Sequence, residues 1–376
     1  MKPALYGGKP IRKEYLPYAK QYIDEDDILA VNEVLKSDFL TTGPKVREFE
    51  EKIAKYVGAK YAVTFSNGTT ALHGACYAAG VGEGDEVITT PITFAASANC
   101  ALYMGGTPVF ADIDEGNFNI DVDEIKNKIT DKTKAIIPVD YTGQAVDIDS
   151  IKELTKGTDI VIIEDGAHSL GTKYKGTLVG GLADMTMFSF HPVKTITTGE
   201  GGIITTNNEE HYRKLMNFRT HGITREQEQL VNKDMGSWYY EQLDLGYNYR
   251  MTDIQAVLGI SQLDKIDYFI EKRKEIVKRY NEAFKETEGI ILHKNEDYSD
   301  TVNHLYVIKL DLPKLKAGRN EIFNALLAEN IGVNVHYIPV YLHPYYQKLG
   351  YKKGLCPKAE ELYDAIIQFH YFQQWL

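Results

Sequence analysis

The sequence predicts an α/β protein whose sheet is mostly parallel and covered by helices on both faces. Two observations support this class. Short apolar runs typical of buried strands recur through the first half of the chain, and segments with the apolar spacing of helices separate most of the earlier runs. Alternation of this kind favours a parallel sheet, because each helix packs on a face of the sheet while it connects two strands.

The alternation extends from about residue 24 to residue 207. Helical spacing of apolar residues appears twice before the first strand, at Ile28, Val31 and Leu35 and then at Val46, Phe49 and Ile53. The seven predicted strands are 62–65, 86–89, 108–111, 135–139, 159–163, 185–190 and 202–205. Ligands of such sheets bind outside the carboxyl ends of the strands. Residues that follow these strands are therefore the first candidates for a site.

The pattern changes after residue 252. A long, highly charged helical segment from 254 to about 285 is followed by a predicted strand at 304–310, a helix at 319–328 and a strand at 332–337. The 376 residues exceed what a single core usually fills. We therefore predict a large domain over residues 1–260 and a small α+β domain over residues 261–376, which includes the bridging helix.

Composition excludes several classes of protein. A net charge of −11 argues against nucleic acid as a partner, since phosphate backbones are bound by basic patches. No apolar run is long enough to span a membrane, and the N-terminus lacks the apolar core of a signal peptide. Three widely spaced cysteines give neither a metal-binding spacing nor a disulfide framework. We expect reduced cysteines in a cytoplasmic protein that holds no metal.

A lysine and an acid are the strongest chemical signal. The apolar run 161–163 ends in Glu164 and Asp165, and Lys194 lies about thirty residues later between apolar residues and a small-residue turn. Burial disfavours the ammonium form of a lysine and leaves an amine that forms a Schiff base with a carbonyl. A buried carboxylate keeps a pyridine nitrogen protonated. The pair therefore predicts a site for pyridoxal 5'-phosphate (PLP).

Two further turns reach the same predicted edge. Residues 66–70 follow the first strand and open a helix, where free N–H groups and Gly68 would let a phosphate approach the backbone. The alternative for this turn is simple helix capping by Ser66 or Asn67. Phe94 follows the second strand and either stacks on a flat ring or packs in the core of the next helix.

Polar aromatic clusters suggest a substrate rich in hydroxyl groups and flat rings. Residues 246–250 precede the long helix and form either a surface turn or part of a site, and residues 336–341 end a predicted strand of the small domain. The candidate substrate-binding residues are Tyr6, Thr41, His191, Tyr247, Arg250, His336, Tyr337 and Tyr341.

These motifs together resemble the DegT/StrS family of PLP-dependent nucleotide-sugar aminotransferases. The resemblance spans about residues 15–365 and is strongest at 89–99, at 139–144 and in the His-Pro-Val-Lys motif that contains Lys194. Within the family, the chain is most similar to the 4-aminotransferases of the pseudaminic-acid pathway. The resemblance implies the fold-type-I architecture of aspartate aminotransferase, with an apparently truncated small domain.

The resemblance also implies how the cofactor ring is held. Lys194 would be the Schiff-base lysine, and Asp165 would pair with the pyridinium nitrogen. His168 would lie near the ring hydroxyl, and Phe94 would stack on the ring.

The cofactor phosphate would be held by Gly68, Thr69 and Ser189. Asn248 would reach the phosphate of the cofactor in the partner subunit, which implies a homodimer with shared active sites.

The implied function is an amino transfer from L-glutamate to C4 of a UDP-4-keto-6-deoxy-N-acetylhexosamine of the L-altrosamine type, with pyridoxamine 5'-phosphate formed during turnover. It belongs to pseudaminic acid biosynthesis, hence to cell-surface polysaccharide or flagellin glycosylation. Three alternatives stay open: a sister enzyme acting at C3 or C4 of another UDP-, dTDP- or GDP-keto-sugar, a PLP-dependent sugar dehydratase, and a protein without catalysis. Lys194 argues against a dehydratase, because relatives of that type carry histidine in its place.

The last ten residues depart from the family. When residues 368–375 are translated back into codons and the codons are read one base earlier, they can encode a sequence close to that of relatives. We therefore hypothesise the loss of one base near codon 367. We then expect a small domain without its terminal helix, with Phe369, Tyr371, Phe372 and Trp375 adding exposed apolar surface. Loose packing and weaker sugar binding would follow, with cofactor binding partly retained.

Overall fold

The computed structural model describes residues 2–369. Its strands are β1 Tyr61–Phe65, β2 Glu86–Thr89, β3 Thr107–Phe110, β4 Thr133–Ile137, β5 Val161–Asp165, β6 Lys173–Tyr174, β7 Thr177–Leu178, β8 Met185–Ser189, β9 Gly202–Thr206, β10 Ile223–Thr224, β11 Glu241–Gln242, β12 Ile290–Leu292, β13 Ser299–Asp300, β14 Tyr306–Leu310 and β15 Ile366–Phe369. Its α-helices are α1 Glu25–Leu35, α2 Pro44–Val57, α3 Gly68–Ala78, α4 Ala96–Tyr103, α5 Val122–Lys128, α6 Ile148–Thr155, α7 Glu209–Phe218, α8 Asp253–Leu263, α9 Ile266–Phe284, α10 Arg319–Ala328, α11 Pro344–Lys348 and α12 Pro357–Ala365.

A seven-stranded sheet forms the centre of the fold, in the order β1-β9-β8-β5-β4-β2-β3. The pairs from β3 across to β8 are parallel, and β9 is antiparallel to both of its neighbours. β9 runs in reverse because no helix connects it to β8, so the chain turns back at the same edge. All seven predicted strands are confirmed within two residues.

The two faces of this sheet bury separate cores. Alternate residues point to opposite faces, so Ile88 and Ile136 pack in one core with residues of α2, α6 and α8. Val87 and Ile137 pack in the other core with α3, α4 and α7. Helices therefore cover both faces, as predicted.

The predicted long helix is two helices, α8 and α9, which are separated at Asp264 and Lys265. Lys265 forms ion pairs with Asp24 and with the buried Asp27, which fixes the chain at this bend. Ile266, at the start of α9, still packs in a core of the central sheet. A domain boundary near residue 260 stays a prediction.

A second sheet lies in the C-terminal part, in the order β12-β14-β15. The predicted strand at 304–310 corresponds to β14, and the predicted helix at 319–328 is α10. The predicted strand at 332–337 is wrong: this segment makes one isolated bridge, between Asn334 and Gln368. Its other backbone groups bond elsewhere, since Gly332 donates to the Leu16 carbonyl and the Tyr141 hydroxyl donates to the His336 carbonyl.

Residues Ile366–Phe369 form the third strand of this sheet. Phe369 is half-buried, with its ring 6.0 Å from that of Phe284 and 6.1 Å from that of Tyr280. The expectation that Phe369 adds exposed surface is therefore wrong. Tyr371, Phe372 and Trp375 lie outside the described residues. Between residues 2 and 369, no helix combines the length and apolar character that a membrane span needs.

Candidate active site

Asp165 is the last residue of β5, at the carboxyl edge of the central sheet. Its side chain is 4% exposed and accepts hydrogen bonds from the Ser97 hydroxyl at 2.7 Å and from the Ala167 N–H at 3.1 Å. Burial raises the pKa of Asp165, while these hydrogen bonds and the charge of Lys194 lower it. Because burial disfavours the charged form of this carboxylate, a cation bound next to it would stabilise that form strongly.

Lys194 lies in the loop between β8 and β9, opposite Asp165. Its N–H donates to the His191 carbonyl at 2.9 Å, and its own carbonyl accepts from Arg273 at 3.3 Å. Burial lowers the pKa of Lys194 to about 8, although the charge of Asp165 acts to raise it. A substantial fraction of the side chain is therefore a neutral amine near pH 8, which is the nucleophilic form.

The turn after β1 faces the same edge. Asn67 caps α3: its side chain accepts from the Thr70 N–H at 2.9 Å. A Cβ on Gly68 would lie 3.2 Å from the Cβ of Ser189, and a Cβ on Gly202, at the start of β9, would lie 2.5 Å from the Asn67 carbonyl oxygen. The turn therefore combines both features considered from the sequence: Asn67 caps the helix, and the backbone at Gly68 has no room for a side chain beside Ser189.

These groups surround a cavity of about 460 Å³. The predicted site residues that line it are Gly68, Thr69, Phe94, Asp165, His168, Ser189, His191, Lys194, His336 and Tyr337. Phe94 is 62% exposed and belongs to this wall, so the alternative that it packs in a core is wrong.

Residues from the C-terminal part close one side of the cavity. The Tyr337 hydroxyl lies 3.2 Å from Nε2 of the buried His168, and the rings of His168 and His304 are 4.5 Å apart. The ring of His336 lies 5.9 Å from that of Tyr18. Burial lowers the pKa of His336 to about 4, so this imidazole is neutral at physiological pH.

Two of the remaining substrate candidates lie away from the cavity: Tyr341 is wrong because it is buried in a core, and Tyr6 stays a prediction. Tyr341 is fully buried in an apolar core and donates to Glu360 at 2.6 Å, which is a packing role. Tyr6 lies at the surface with its hydroxyl bonded to Glu321 of α10.

Thr41, Tyr247 and Arg250 also lie outside this cavity, and their predicted role in substrate binding stays a prediction. Thr41 bridges the backbone of Thr252, and the ring of Tyr247 stacks on that of Tyr249 at 4.9 Å. Arg250 lines a second cavity of about 620 Å³, beside the buried ion pair of Glu50 and Arg219.

Asn248 does not line the cavity of its own chain. Its backbone bridges that of Thr220, within the segment that follows α7. The predicted role of Asn248 in a partner's site stays a prediction, since it concerns a second subunit.

Several polar residues of the cavity wall were not among the predicted site residues, including Tyr18, Thr93, Ser97, Glu200 and His304. Ser97 carried a usable signal, because it lies in the stretch 89–99 that resembles the family and follows β2. Tyr18 and His304 had none, since they come from distant parts of the chain and reach the cavity only through tertiary packing.

Comparison with known proteins identifies the family. Residues 21–375 match the model of the DegT/DnrJ/EryC1/StrS aminotransferase family. The chain belongs to this family. The predicted fold type, the class of sugar aminotransferase and the cofactor PLP are thereby confirmed.

Individual members of the DegT/DnrJ/EryC1/StrS family are similar over most of their length. The spore coat polysaccharide biosynthesis protein SpsC of Bacillus subtilis is 42% identical over 95% of this chain and 92% of its own. The UDP-4-amino-4,6-dideoxy-N-acetyl-beta-L-altrosamine transaminase of Campylobacter jejuni is 41% identical over 89% of this chain and 86% of its own. The structure of Helicobacter pylori PseC, an aminotransferase involved in the biosynthesis of pseudoaminic acid, matches with a TM-score of 0.87 at 35% identity and covers 95% of this chain and 93% of its own.

Proposed function

We propose that this protein transfers an amino group from L-glutamate to C4 of a UDP-4-keto-6-deoxy-N-acetylhexosamine of the L-altrosamine type, in pseudaminic acid biosynthesis. The observation that carries the proposal is the buried pair of Lys194 and Asp165 in one cavity. Similarity to the altrosamine transaminase of Campylobacter jejuni and to PseC supports the choice of sugar.

The residues present fit PLP. Asp165, whose pKa burial raises, would gain from a protonated pyridine nitrogen, and Lys194 offers an amine that is partly neutral. At the start of α3, a side chain at Gly68 would crowd Ser189, and the glycine leaves that space free for a phosphate. Gly68, Thr69 and Ser189 would hold the phosphate, and Phe94 and His168 would flank the ring.

PLP supplies, when bound, an electron sink for the electrons released as a proton leaves carbon. The chain supplies the proton transfers. Lys194, with its pKa near 8, suits a base that takes a proton from the donor carbon and then acts as an acid that returns one. Ser97 and the Ala167 N–H fix the two oxygens of Asp165, so its charge stays aligned with a cationic partner.

The other wall of the cavity would bind the sugar. His191, His336 and Tyr337 line the cavity and would offer ring nitrogens and a hydroxyl to sugar hydroxyl groups. We further propose a homodimer in which Asn248 completes the partner's site. Its position outside the cavity of its own chain supports this arrangement.

The test is a panel of nucleotide 4-keto- and 3-keto-sugars on UDP, dTDP and GDP, each incubated with purified protein, PLP and L-glutamate and analysed by mass spectrometry. We expect an amino sugar from the UDP-linked 4-keto-6-deoxy-N-acetylhexosamine. Omission of L-glutamate is the control. Amination of another sugar alone would identify a sister enzyme, and no amination of any sugar would indicate an inactive PLP-binding protein.

A further inference from the structure

His73 lies on α3, next to the segment that carries Asn248. Its side chain is 5% exposed, and its Nδ1 lies 3.3 Å from the Tyr249 hydroxyl. Burial lowers the pKa of His73 to about 4, so the imidazole is neutral at physiological pH. Within residues 2–369, the Tyr249 hydroxyl is the one hydrogen-bonding partner of this ring, since Nε2 has none. A single polar contact therefore joins the buried imidazole to the segment.

Aromatic rings pack around the imidazole. The centroid of the His73 ring lies 5.0 Å from that of Phe218 and 5.1 Å from that of Tyr247. The Tyr247 ring in turn stacks on that of Tyr249, with the two centroids 4.9 Å apart and the planes at 6°. Both tyrosine rings thus lie on the side of their segment that faces α3.

The backbone of the segment is extended on either side of Asn248. The Tyr249 N–H donates to the Arg219 carbonyl at 3.0 Å, and the Tyr247 carbonyl accepts from the His221 N–H at 2.9 Å. Neighbouring side chains of an extended segment point to opposite sides. Because both tyrosine rings face α3, the Asn248 side chain between them points away from it, and Asn248 is exposed.

The segment also contacts the turn that would hold this chain's own cofactor phosphate. The Ser66 N–H donates to the Tyr249 carbonyl at 2.8 Å, and His73 lies on the helix that this turn opens. His73 therefore has two routes to an active site, through α3 to its own turn or through Tyr249 to Asn248. The turn at 66–70 is fixed by its own capping box, so the route that depends on the His73 contact leads to Asn248.

We propose that His73 is a positioning residue for the shared active site: by holding Tyr249, it directs the Asn248 side chain toward the cofactor phosphate in the partner subunit. This inference rests on the proposed function, in which Asn248 completes the partner's site. A group that binds a ligand needs support from packing and hydrogen bonds behind it. Loss of the contact should therefore weaken PLP binding in the partner subunit and not in the chain that carries the substitution.

His73→Phe tests the contact, because phenylalanine keeps a ring and removes the hydrogen bond with Tyr249. We expect the dissociation constant for PLP, measured by absorbance titration of apoprotein, to rise about three- to tenfold, the usual loss for one hydrogen bond. Tyr249→Phe removes the same bond from the other side and should give the same rise. The double variant should show no further rise, since both changes delete one contact.

Tyr103→Phe is the matched control. The Tyr103 ring packs 5.3 Å from that of His73, and its hydroxyl makes no hydrogen bond in the part of the chain that the structure describes. Its dissociation constant for PLP should stay within twofold of that of the wild type. A rise equal to that of His73→Phe would mean that any change in this aromatic cluster disturbs the site, and would overturn the proposal.

Subunit mixing separates the two routes. In a mixture of Lys194→Ala and Asn248→Ala proteins, the one complete site combines Lys194 of one chain with Asn248 of the other, and this mixture is the reference. In the first test mixture, His73→Phe is added to the Lys194→Ala chain, which supplies Asn248. In the second, it is added to the Asn248→Ala chain, which supplies Lys194. The readout is the PLP concentration that gives half of the recovered rate of the half-reaction with L-glutamate.

We expect this PLP concentration to rise about three- to tenfold in the first test mixture and to stay within twofold of the reference in the second. A rise in the second mixture alone, equal rises in both or no rise in either would overturn the proposal. If His73→Phe fails to fold, Tyr249→Phe takes its place in both mixtures, with the same outcomes deciding.

The two proposals fail in distinguishable ways. If the reference mixture recovers no activity although exchange is demonstrated, the shared site fails and the role of His73 fails with it. If the reference recovers and the two test mixtures behave alike, the shared site stands and the role of His73 alone fails. The identity of the sugar enters neither comparison, since the half-reaction uses only L-glutamate.

Discussion

The carboxyl edge of the central sheet and the segment at 220–250 differ in how this chain places their side chains. At the sheet edge, Asp165 is buried and held by two hydrogen bonds within the same chain. In the segment, apolar side chains face outward: Val231 is 78% exposed, and Trp238 and Leu245 are each 70% exposed. Contacts within one chain bury and hold the side chain at the sheet edge, whereas the apolar side chains of the segment at 220–250 stay exposed to solvent.

The sheet edge shows the part of the site that a single chain forms, and the exposed segment is where a second subunit would contribute. Exposed apolar side chains in one segment are typical of an interaction surface. Asn248 belongs to the segment, and it is the candidate that the family resemblance assigned to the partner's cofactor. The exposed segment therefore supports the proposed homodimer, and the predictions below test the two regions separately.

The largest effect is expected at the sheet edge, from Lys194→Ala. Turnover and the visible absorbance of the Schiff base between protein and PLP should both disappear, because Lys194 is the one lysine in the described part of the cavity wall. Absorbance spectra and borohydride reduction followed by peptide mapping provide the measurement. An adduct on another lysine with activity intact would contradict the assignment.

Asp165→Asn should have the next largest effect on turnover. An amide has nearly the same shape and keeps one acceptor oxygen, but it carries no charge and cannot hold a pyridine nitrogen protonated. We expect kcat to fall about 10²–10³-fold, the usual loss for one electrostatic group. PLP content, measured after alkaline release, should stay close to that of the wild type. Ser97→Ala, which removes one hydrogen bond to Asp165, should cost less.

The pKa of Lys194 predicts a pH dependence of PLP loading. A depressed pKa means that the neutral amine grows as pH rises and is mostly formed above pH 8. The rate at which apoprotein takes up PLP should therefore rise about tenfold per pH unit below pH 8 and level off above it. Stopped-flow absorbance measures this rate, and an inflection near pH 10 would show that burial does not depress the pKa.

The smallest effect tests the open region. We expect Lys194→Ala and Asn248→Ala proteins to be inactive when assayed separately and to regain activity when they are mixed under conditions of subunit exchange. Random exchange at equal amounts leaves about a quarter of all sites with both residues intact, if subunits pair as closed dimers. Activity assays before and after exchange, with exchange shown by native mass spectrometry, give the readout. Lack of recovery would mean that each chain builds its own site.

Local sequence predicted the central sheet because its strands are buried on both faces and read as apolar runs. Asp165 and Lys194 were found for the same reason, since each follows such a run. The strand predicted at 332–337 failed because its apolar pattern reflects packing against neighbours, while its backbone bonds to Leu16, Tyr141 and one residue of β15. Single residues that reach a site by tertiary packing, such as Tyr18, leave no periodic signal.

Substrate candidates were predicted less well, because aromatic residues serve packing and binding alike. Tyr341 and Tyr337 are four residues apart, yet Tyr341 is fully buried beside Glu360 and Tyr337 lines the cavity. Gln368 lay in a stretch that we interpreted as frame-shifted text, and the bond of its side chain to the His336 ring depends on how β15 pairs with β14.

The reversed direction of β9 makes the loop from Lys194 to Gly202 a tether of fixed length. Both of its ends lie at the carboxyl edge, one at the reactive amine and the other against the Asn67 turn, where an added Cβ would meet the carbonyl oxygen at 2.5 Å. An inserted or deleted residue in this loop would change the distance between the Lys194 amine and the turn at residues 66–70. The C-terminal part lies outside this loop, so its movement would not restore that distance.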